Sequence, residues 1–171
     1  MRIDNDPKLD FDDVLIRPKR SEAPTRSTVD LQRRYHFLNS QRSWSGIPLV
    51  ASNMDSIGTV AMARSLGPEM MTCLHKYHSA DDLIAFFSDE ALREHTFLTV
   101  GIRDEDLEKL RQVAARTRLH YLCVDAANGY TKYFVDRVKA MRHAHPDVTI
   151  MAGNVATPEM VQELLISGAA D

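Results

Sequence analysis

Cysteine is scarce in this chain, which has two among 171 residues. Cys73 and Cys123 both lie within apolar runs, so they make no disulfide framework and are typical of a reducing compartment. We interpret both as buried structural thiols rather than nucleophiles, and we expect a cytoplasmic location. Long hydrophobic runs are also missing, since none approaches the roughly 20 residues of a membrane span. The acidic start MRIDNDPKLDFDD is not a signal peptide.

A strong excess of one charge is absent as well. The chain has 21 Lys and Arg against 24 Asp and Glu, a net charge of −3, and no basic block longer than a few residues. This balance disfavours nucleic-acid binding, and 44% hydrophobic residues exclude disorder. Without a low-complexity segment or long linker, the composition predicts one domain over residues 1–171, made of a leader (1–47) and a repetitive region (48–171).

Glycine-rich phosphate-binding motifs are missing too. The seven glycines are scattered, and neither G-x-G-x-x-G nor a P-loop occurs, so any dinucleotide must bind without a Rossmann fingerprint. His75 and His78 lie close together in a predicted loop with no recurring third ligand nearby. We therefore expect no metal site.

What the sequence does contain is a repeat of apolar and helical segments. Strand-like runs begin at Pro48, Met70, Phe97, His120 and Val148. Stretches of helical period lie at Val60–Leu66, Ala80–Phe87, Asp104–Ala115, Lys132–His143 and Pro158–Leu165, the last behind a capping threonine. Strands that are apolar throughout are typical of a parallel sheet covered by helices. In the leader, Val29–Leu38 predicts a short hairpin.

The spacing of the strand starts leaves two architectures open. The intervals are 22, 27, 23 and 28 residues, so five units fit after residue 48 and a sixth strand is expected near residue 171. Eight such units plus the leader come to about 247 residues, close to a (β/α)8 TIM barrel. The alternative is a complete five-stranded doubly wound sheet. Periodicity alone does not separate them.

Polar groups follow most of these strands, at the positions where a barrel carries its reacting groups. Lys76 could recognise phosphate or carboxylate, and His75 could relay a proton. Asp125 could accept hydrogen bonds from a ribose diol or simply cap the next helix. A polar residue at a strand end is by itself more often a turn or cap residue, and Lys76 and His75 are equally compatible with a solvated rim. The convergence of Ser52–Asp55, His75–His78, Gly101–Arg103, Asp125–Gly129 and Gly153–Val155 carries more weight than any one member.

Five stretches together resemble a known family. They are LDFDDVLIRPKRS (9–21), SWSGIPLVASNMDSIGT (43–59), HKYHS (75–79), CVDAANGY (123–130) and IMAGNVATPEMVQELLISGAAD (150–171). The chain is similar over essentially its whole length to the N-terminal half of the GMP reductase branch of the IMP dehydrogenase/GMP reductase family. The resemblance favours an α/β fold in which the chain supplies the leader and about five βα units of a (β/α)8 barrel.

The resemblance also implies an activity, namely NADPH-dependent reductive deamination of GMP to IMP and ammonia by a homo-oligomer, a tetramer in the family. The family's nucleophilic cysteine follows the sixth strand, in a loop ordered by potassium, and both would lie beyond Asp171. We therefore expect no catalytic residue and no potassium site in this chain, and we expect the 171-residue polypeptide alone to be inactive.

The same resemblance implies roles for individual residues. Cofactor contacts are expected at Thr25 and Arg26, which would reach the NADP of a neighbouring subunit, and at Lys76, Asp125, Ala126 and Ala127. Nucleotide contacts are expected at Ser52, Met54 and Asn154. Two departures stand out: HKYH replaces the family's usual HKHY, which weakens any role for Tyr77 or His78, and Ala126 replaces a valine.

Two other functions remain possible. An IMP dehydrogenase usually carries a regulatory insertion after its second strand, and the 22 residues between Leu74 and Phe97 leave no room for one. A non-catalytic module would bind nucleotide weakly or only associate with intact subunits. Nicotinamide-dependent turnover with GMP would distinguish an enzyme from such a module.

Overall fold

The computed structural model describes residues 5–7 and 9–171, so Met1 to Asp4 and Lys8 of the acidic N-terminal stretch lie outside the described residues. The chain divides into two units, residues 1–30 and 31–171. Among the described residues of the first unit are two single 3₁₀ turns, Phe11–Asp13 and Arg26–Thr28. Several of its large apolar side chains, including Phe11, Leu15 and Ile16, are exposed.

Seven strands form two sheets in the second unit. A two-stranded antiparallel sheet consists of β1 (Arg33–His36) and β2 (Ser43–Gly46). The larger sheet is parallel throughout, with the order β3-β4-β5-β6-β7. Its strands are β3 (Val50–Ala51), β4 (Met71–Cys73), β5 (Thr96–Val100), β6 (Tyr121–Asp125) and β7 (Thr149–Gly153). Each strand lies beside the next one in the chain.

The second unit has six α-helices, of which the first five lie between strands and the sixth follows β7: α1 (Val60–Leu66), α2 (Ala80–Phe87), α3 (Glu90–Arg93), α4 (Asp104–Ala114), α5 (Lys132–Ala144) and α6 (Pro158–Ile166). Side-chain hydroxyls of Thr59, Ser79 and Thr131 cap α1, α2 and α5. Thr157 precedes α6 but makes no capping bond, contrary to the sequence prediction. Within the described part of the chain, no helix combines the length and hydropathy that crossing a bilayer requires.

The strand order decides between the two architectures. A doubly wound sheet reverses direction at a switch point, so its strand order departs from chain order. Here the order is strictly sequential, as in a barrel. The prediction of a (β/α)8-type fold represented by a leader and five βα units is confirmed, and the doubly wound alternative is wrong.

The two faces of the parallel sheet bury different sets of residues. Leu98, Val100, Leu122, Val124 and Ile150 point to the helix-covered outer face, where they form the main core with side chains of α2, α4 and α5. The inner face carries a smaller cluster made of Trp44, Met71, Cys73, Phe97, Tyr121 and Cys123. Each fully buried large apolar side chain contributes about 1.5–3 kcal/mol. The helix-covered face therefore provides most of the stabilisation.

The hairpin differs from its sequence prediction. Its first strand lies within Val29–Leu38, but the second is Ser43–Gly46, and Tyr35 pairs with Trp44. The turn between them places Gln41 at φ 56°. Only Trp44 and Gly46 of β2 are buried, in alternation. Because β2 has four residues and one large apolar side chain, its sequence gives only a weak strand signal and does not predict the second strand.

Asp171 ties the hairpin to the sheet. Its buried carboxylate accepts hydrogen bonds from the backbone N–H groups of Ile150 (2.9 Å), Ser40 (2.8 Å) and Asn39 (3.2 Å), and it pairs with the Arg142 guanidinium. Asp171 also donates its own N–H to the Ile150 carbonyl at 2.8 Å. The backbone thus continues the hydrogen-bond ladder beside β7, where the spacing predicts a further strand.

Replacing Asp171 by Asn should destabilise the fold strongly. The substitution leaves the Arg142 guanidinium without its buried counter-charge, and we expect the free energy of unfolding to fall by about 3–5 kcal/mol. Urea denaturation followed by circular dichroism measures this loss. The matched control is Asp136→Asn, which removes an exposed pairing with Lys132 on α5 and should cost less than about 1 kcal/mol. Equal losses in the two variants would contradict this role of Asp171.

Candidate functional site

Two cavities open where the loops follow the parallel strands. The outer cleft, of about 800 Å³, lies among the loops after β4, β5 and β6. Its lining includes Lys76, Tyr77, Gly101, Ile102, Arg103, Asp125, Ala126, Ala127, Asn128 and Tyr133. The inner cavity, of about 380 Å³, is lined by inner-face strand residues and by the loops after β3 and β7, including Ser52, Asn53, Cys73, Cys123, Asp125, Met151 and Asn154. Asp125 borders both.

A lysine–aspartate pair lines the outer cleft. The Nζ atom of Lys76 is 3.3 Å from Oδ2 of Asp125, with 37% and 26% of the two side chains exposed. The Lys76 carbonyl accepts a bond of 2.5 Å from Nζ of Lys109. Lys76 follows β4 and Asp125 ends β6, so the two strands position the two charges. Both side chains are partly shielded from water. An ammonium group here can bind a phosphate, and the carboxylate can accept hydrogen bonds from hydroxyls.

The loops after β6 and β7 are joined through their backbones. Ala126 donates to the Gly153 carbonyl (2.8 Å), Asn154 donates to the Ala126 carbonyl (2.6 Å), and Gly129 donates to the Asn154 carbonyl (2.9 Å). A Cβ atom at position 129 would lie 2.6 Å from the Asn154 oxygen, so only glycine fits there. The segment after β6 and the polar residue after β7 therefore keep a fixed relative position.

The loop after β4 stacks two histidines. The rings of His75 and His78 lie 3.8 Å apart and nearly parallel. Burial lowers the pKa of His78, and the nearby His75 lowers it further. The pair is therefore biased towards a neutral imidazole at His78. Among residues 5–7 and 9–171, no three His, Cys, Asp or Glu side chains are grouped to hold a metal ion.

The structure brings together most of the residues singled out from the sequence. Lys76, Asp125, Ala126 and Ala127 all line the outer cleft, and Ser52 and Asn154 line the inner cavity. Met54 is exposed and lines neither cavity.

Thr25 and Arg26 belong to the first unit. Thr25 precedes the 3₁₀ turn that Arg26 begins, and its hydroxyl lies 2.8 Å from that of Ser27.

Two residues of the outer cleft had no role in the sequence interpretation. Arg103 ends the loop after β5 and lines the outer cleft. The sequence indicates only that polar residues follow this strand. Tyr133 lies on α5, and its hydroxyl donates to the Ile102 carbonyl at 3.2 Å and accepts from Arg137 at 2.8 Å. Helical periodicity identifies which residues face the core, so it gives no signal for a tyrosine that leans over a neighbouring loop.

Both cysteines are buried in the inner face, as predicted for structural thiols. The hydrogen bond between their side chains and the burial of Cys73 raise the pKa of that thiol well above its usual range. The same bond lowers the pKa of Cys123. Any thiolate in this pair therefore forms at Cys123 first.

Alkylation should follow that order. At about pH 8, iodoacetamide should modify the native chain at least about tenfold more slowly than the unfolded chain, because both thiols are buried and the reagent has little access to them. Peptide mass mapping of partly modified native protein should find Cys123 labelled before Cys73. Earlier labelling of Cys73 would contradict the described direction of the two pKa shifts.

Comparisons with known proteins agree with this architecture. Residues 8–171 match the family model described as the IMP dehydrogenase / GMP reductase domain. The chain is 47% identical over 173 residues to a GMP reductase of Aeromonas salmonicida and 48% identical over 174 residues to one of Edwardsiella ictaluri. Each match covers 99% of this chain and 50% of the relative.

A solved structure supports the same assignment. The crystal structure of inosine 5′-monophosphate dehydrogenase from Legionella pneumophila matches with a TM-score of 0.73 and 26% identity, over 94% of this chain and 48% of that one. The chain thus spans about half the length of the proteins it matches. It belongs to the IMP dehydrogenase/GMP reductase family.

Proposed function

We propose that the chain contributes cofactor- and nucleotide-binding residues to a GMP reductase, an NADPH-dependent oxidoreductase that converts GMP to IMP and ammonia. The observation that carries the proposal is the Lys76–Asp125 pair, which lies in one cleft with Ala126 and Ala127. Identities of 44–48% to GMP reductases of several bacteria support this branch of the family.

The outer cleft has the chemistry to hold NADPH. The Lys76 ammonium is suited to a phosphate, and the Asp125 carboxylate to ribose hydroxyls. Ala126 and Ala127 add little bulk, so a ring can lie against their backbone. When bound, the cofactor supplies the hydride for the reduction. In this proposal the chain's own residues bind and orient the cofactor.

The inner cavity would take the purine nucleotide. Ser52 and Asn154 are among the residues that line it, and a hydroxyl and an amide can both donate and accept hydrogen bonds. Met54 remains a proposed contact on the exposed loop after β3. Neither cysteine is proposed as a nucleophile, because both are held in strands and Cys73 is kept protonated by burial and its bond to Cys123.

The leader would act between subunits. Arg26 is exposed, and its guanidinium can bond two phosphate oxygens at once. We propose that Thr25 and Arg26 contact the cofactor of a neighbouring subunit in a homo-oligomer, a tetramer as the resemblance implies. A cytoplasmic location, suggested by the two free thiols, remains part of the same proposal.

A second candidate is an IMP dehydrogenase-like activity. The likeness to the Legionella pneumophila IMP dehydrogenase favours it, although the 26% identity is lower than that to the GMP reductases. The two candidates differ in ligands: the first predicts preferential binding of NADPH and GMP, and the second predicts preferential binding of NAD⁺ and IMP. Calorimetric titration of the full chain with all four ligands separates them.

Lys76→Ala should weaken NADPH binding more than GMP binding. The lost charge-assisted hydrogen bond predicts a rise in the NADPH dissociation constant of about tenfold or more, with a change below about twofold for GMP. Nicotinamide fluorescence and calorimetry measure the two constants. Lys139→Ala, which removes an exposed lysine of α5, is the matched control and should change neither.

Three outcomes test the proposal. A larger loss for GMP would place Lys76 in the purine site. A wild-type chain that binds neither NADPH nor GMP would contradict the proposed function. GMP-dependent oxidation of NADPH, followed in parallel, distinguishes a catalytically active chain from a module that binds these ligands without turnover.

A further inference from the structure

One tyrosine connects the two loops at the site from outside both cavities. Tyr130 follows β6, yet its hydroxyl accepts a hydrogen bond of 2.6 Å from the Ala156 backbone N–H. The same hydroxyl donates to the Thr157 hydroxyl at 3.2 Å. Its own backbone N–H donates to the Asn128 side chain at 3.0 Å. Both the backbone and the ring end of Tyr130 are therefore fixed.

These bonds extend the backbone junction already described. Gly129 donates to the Asn154 carbonyl, and position 129 approaches both that oxygen and the Val155 side chain too closely for any Cβ. The Tyr130 hydroxyl adds a contact at Ala156, two residues beyond Asn154. The loop after β7 is thus bonded to the loop after β6 before Asn154, at Gly153, and after it, at Ala156.

Core packing does not account for this tyrosine. Its side chain is 48% exposed and lines neither the outer cleft nor the inner cavity. Thr157 precedes α6 and makes no capping bond, while its hydroxyl accepts the bond from Tyr130. The bond to Thr157 also lowers the pKa of Tyr130. The hydrogen bonds of the Tyr130 hydroxyl are therefore made to the loop after β7.

We propose that Tyr130 is a positioning residue whose hydroxyl fixes the β7–α6 loop and thereby holds Asn154 in place in the lining of the inner cavity. The inference rests on the proposed function and deepens it, since it makes Tyr130 a determinant of purine-nucleotide affinity. The residue acts through the loop, without touching the ligand.

Tyr130→Phe removes the hydroxyl and keeps the ring. In the full chain without ligand, the amide of Ala156 should exchange its hydrogen at least about fivefold faster, because its acceptor is gone. The GMP dissociation constant should rise about five- to tenfold, the value of one hydrogen bond. The NADPH dissociation constant should stay within about twofold, because Lys76 and Asp125 are untouched.

Two further variants sharpen the test. Tyr35→Phe removes the hydroxyl of a tyrosine that is 42% exposed, lies in the hairpin and lines neither cavity, so it should change none of the three readouts. Thr157→Val removes one partner and leaves the bond to Ala156, so its effect should fall between wild type and Tyr130→Phe. It also serves as the test if Tyr130→Phe fails to fold.

Each remaining outcome is decisive. Unchanged exchange at Ala156 would overturn the positioning role, and equal losses of GMP and NADPH affinity would overturn its assignment to the purine side. If the wild-type chain binds neither nucleotide, the proposed function fails and the purine-side assignment fails with it. The exchange rates would then still decide whether the hydroxyl holds the loop.

Discussion

Because every crossover helix returns the chain to the same end of the sheet, strands β3 to β7 place their carboxyl ends at one edge. The polar segments that follow them then meet, although up to about a hundred residues separate them in the sequence. Lys76 and Asp125 illustrate the result. They are 49 residues apart in the chain and follow or end strands that are separated in the sheet by β5 alone. Nevertheless, Nζ of Lys76 lies 3.3 Å from Oδ2 of Asp125.

The alternation of side chains along a strand explains why the charges lie at the edge. In β6, Tyr121 and Cys123 point to the inner face and are buried, and Asp125 is the next residue on that face. A carboxylate at position 123, the preceding position on that face, would lie among apolar side chains without a charged partner. At the strand end it meets Lys76 and keeps part of its surface in water, which limits the cost of desolvation. The pair remains accessible to a ligand.

The repeat predicted the fold well because even helices of seven or eight residues show an apolar period. Val60–Leu66 and Ala80–Phe87 were identified with the bounds that the structure has. The four-residue helix α3 and the hairpin strand Ser43–Gly46 were missed, because neither is long enough to show a period. Strand-end polar residues predicted much of the cavity lining. Sequence spacing could not show that Tyr133 leans over a neighbouring loop or that Tyr130 bonds to Thr157, since both contacts depend on how adjacent units pack.

Within each βα unit, the residues that stabilise the fold differ from the residues that shape the cavities, so substitutions at the two kinds of position should have different effects. Leu122 and Val138, for example, belong to the helix-covered core, stabilise the sheet and line neither cavity. Residues after the strands contribute little buried area but set the geometry of the cavities. Asp125 ends a strand and borders both cavities. In the proposed function, a phosphate bound to Lys76 would compete with that carboxylate for the ammonium. The two cavities therefore share one carboxylate, and backbone hydrogen bonds join the loops after β6 and β7 that border them.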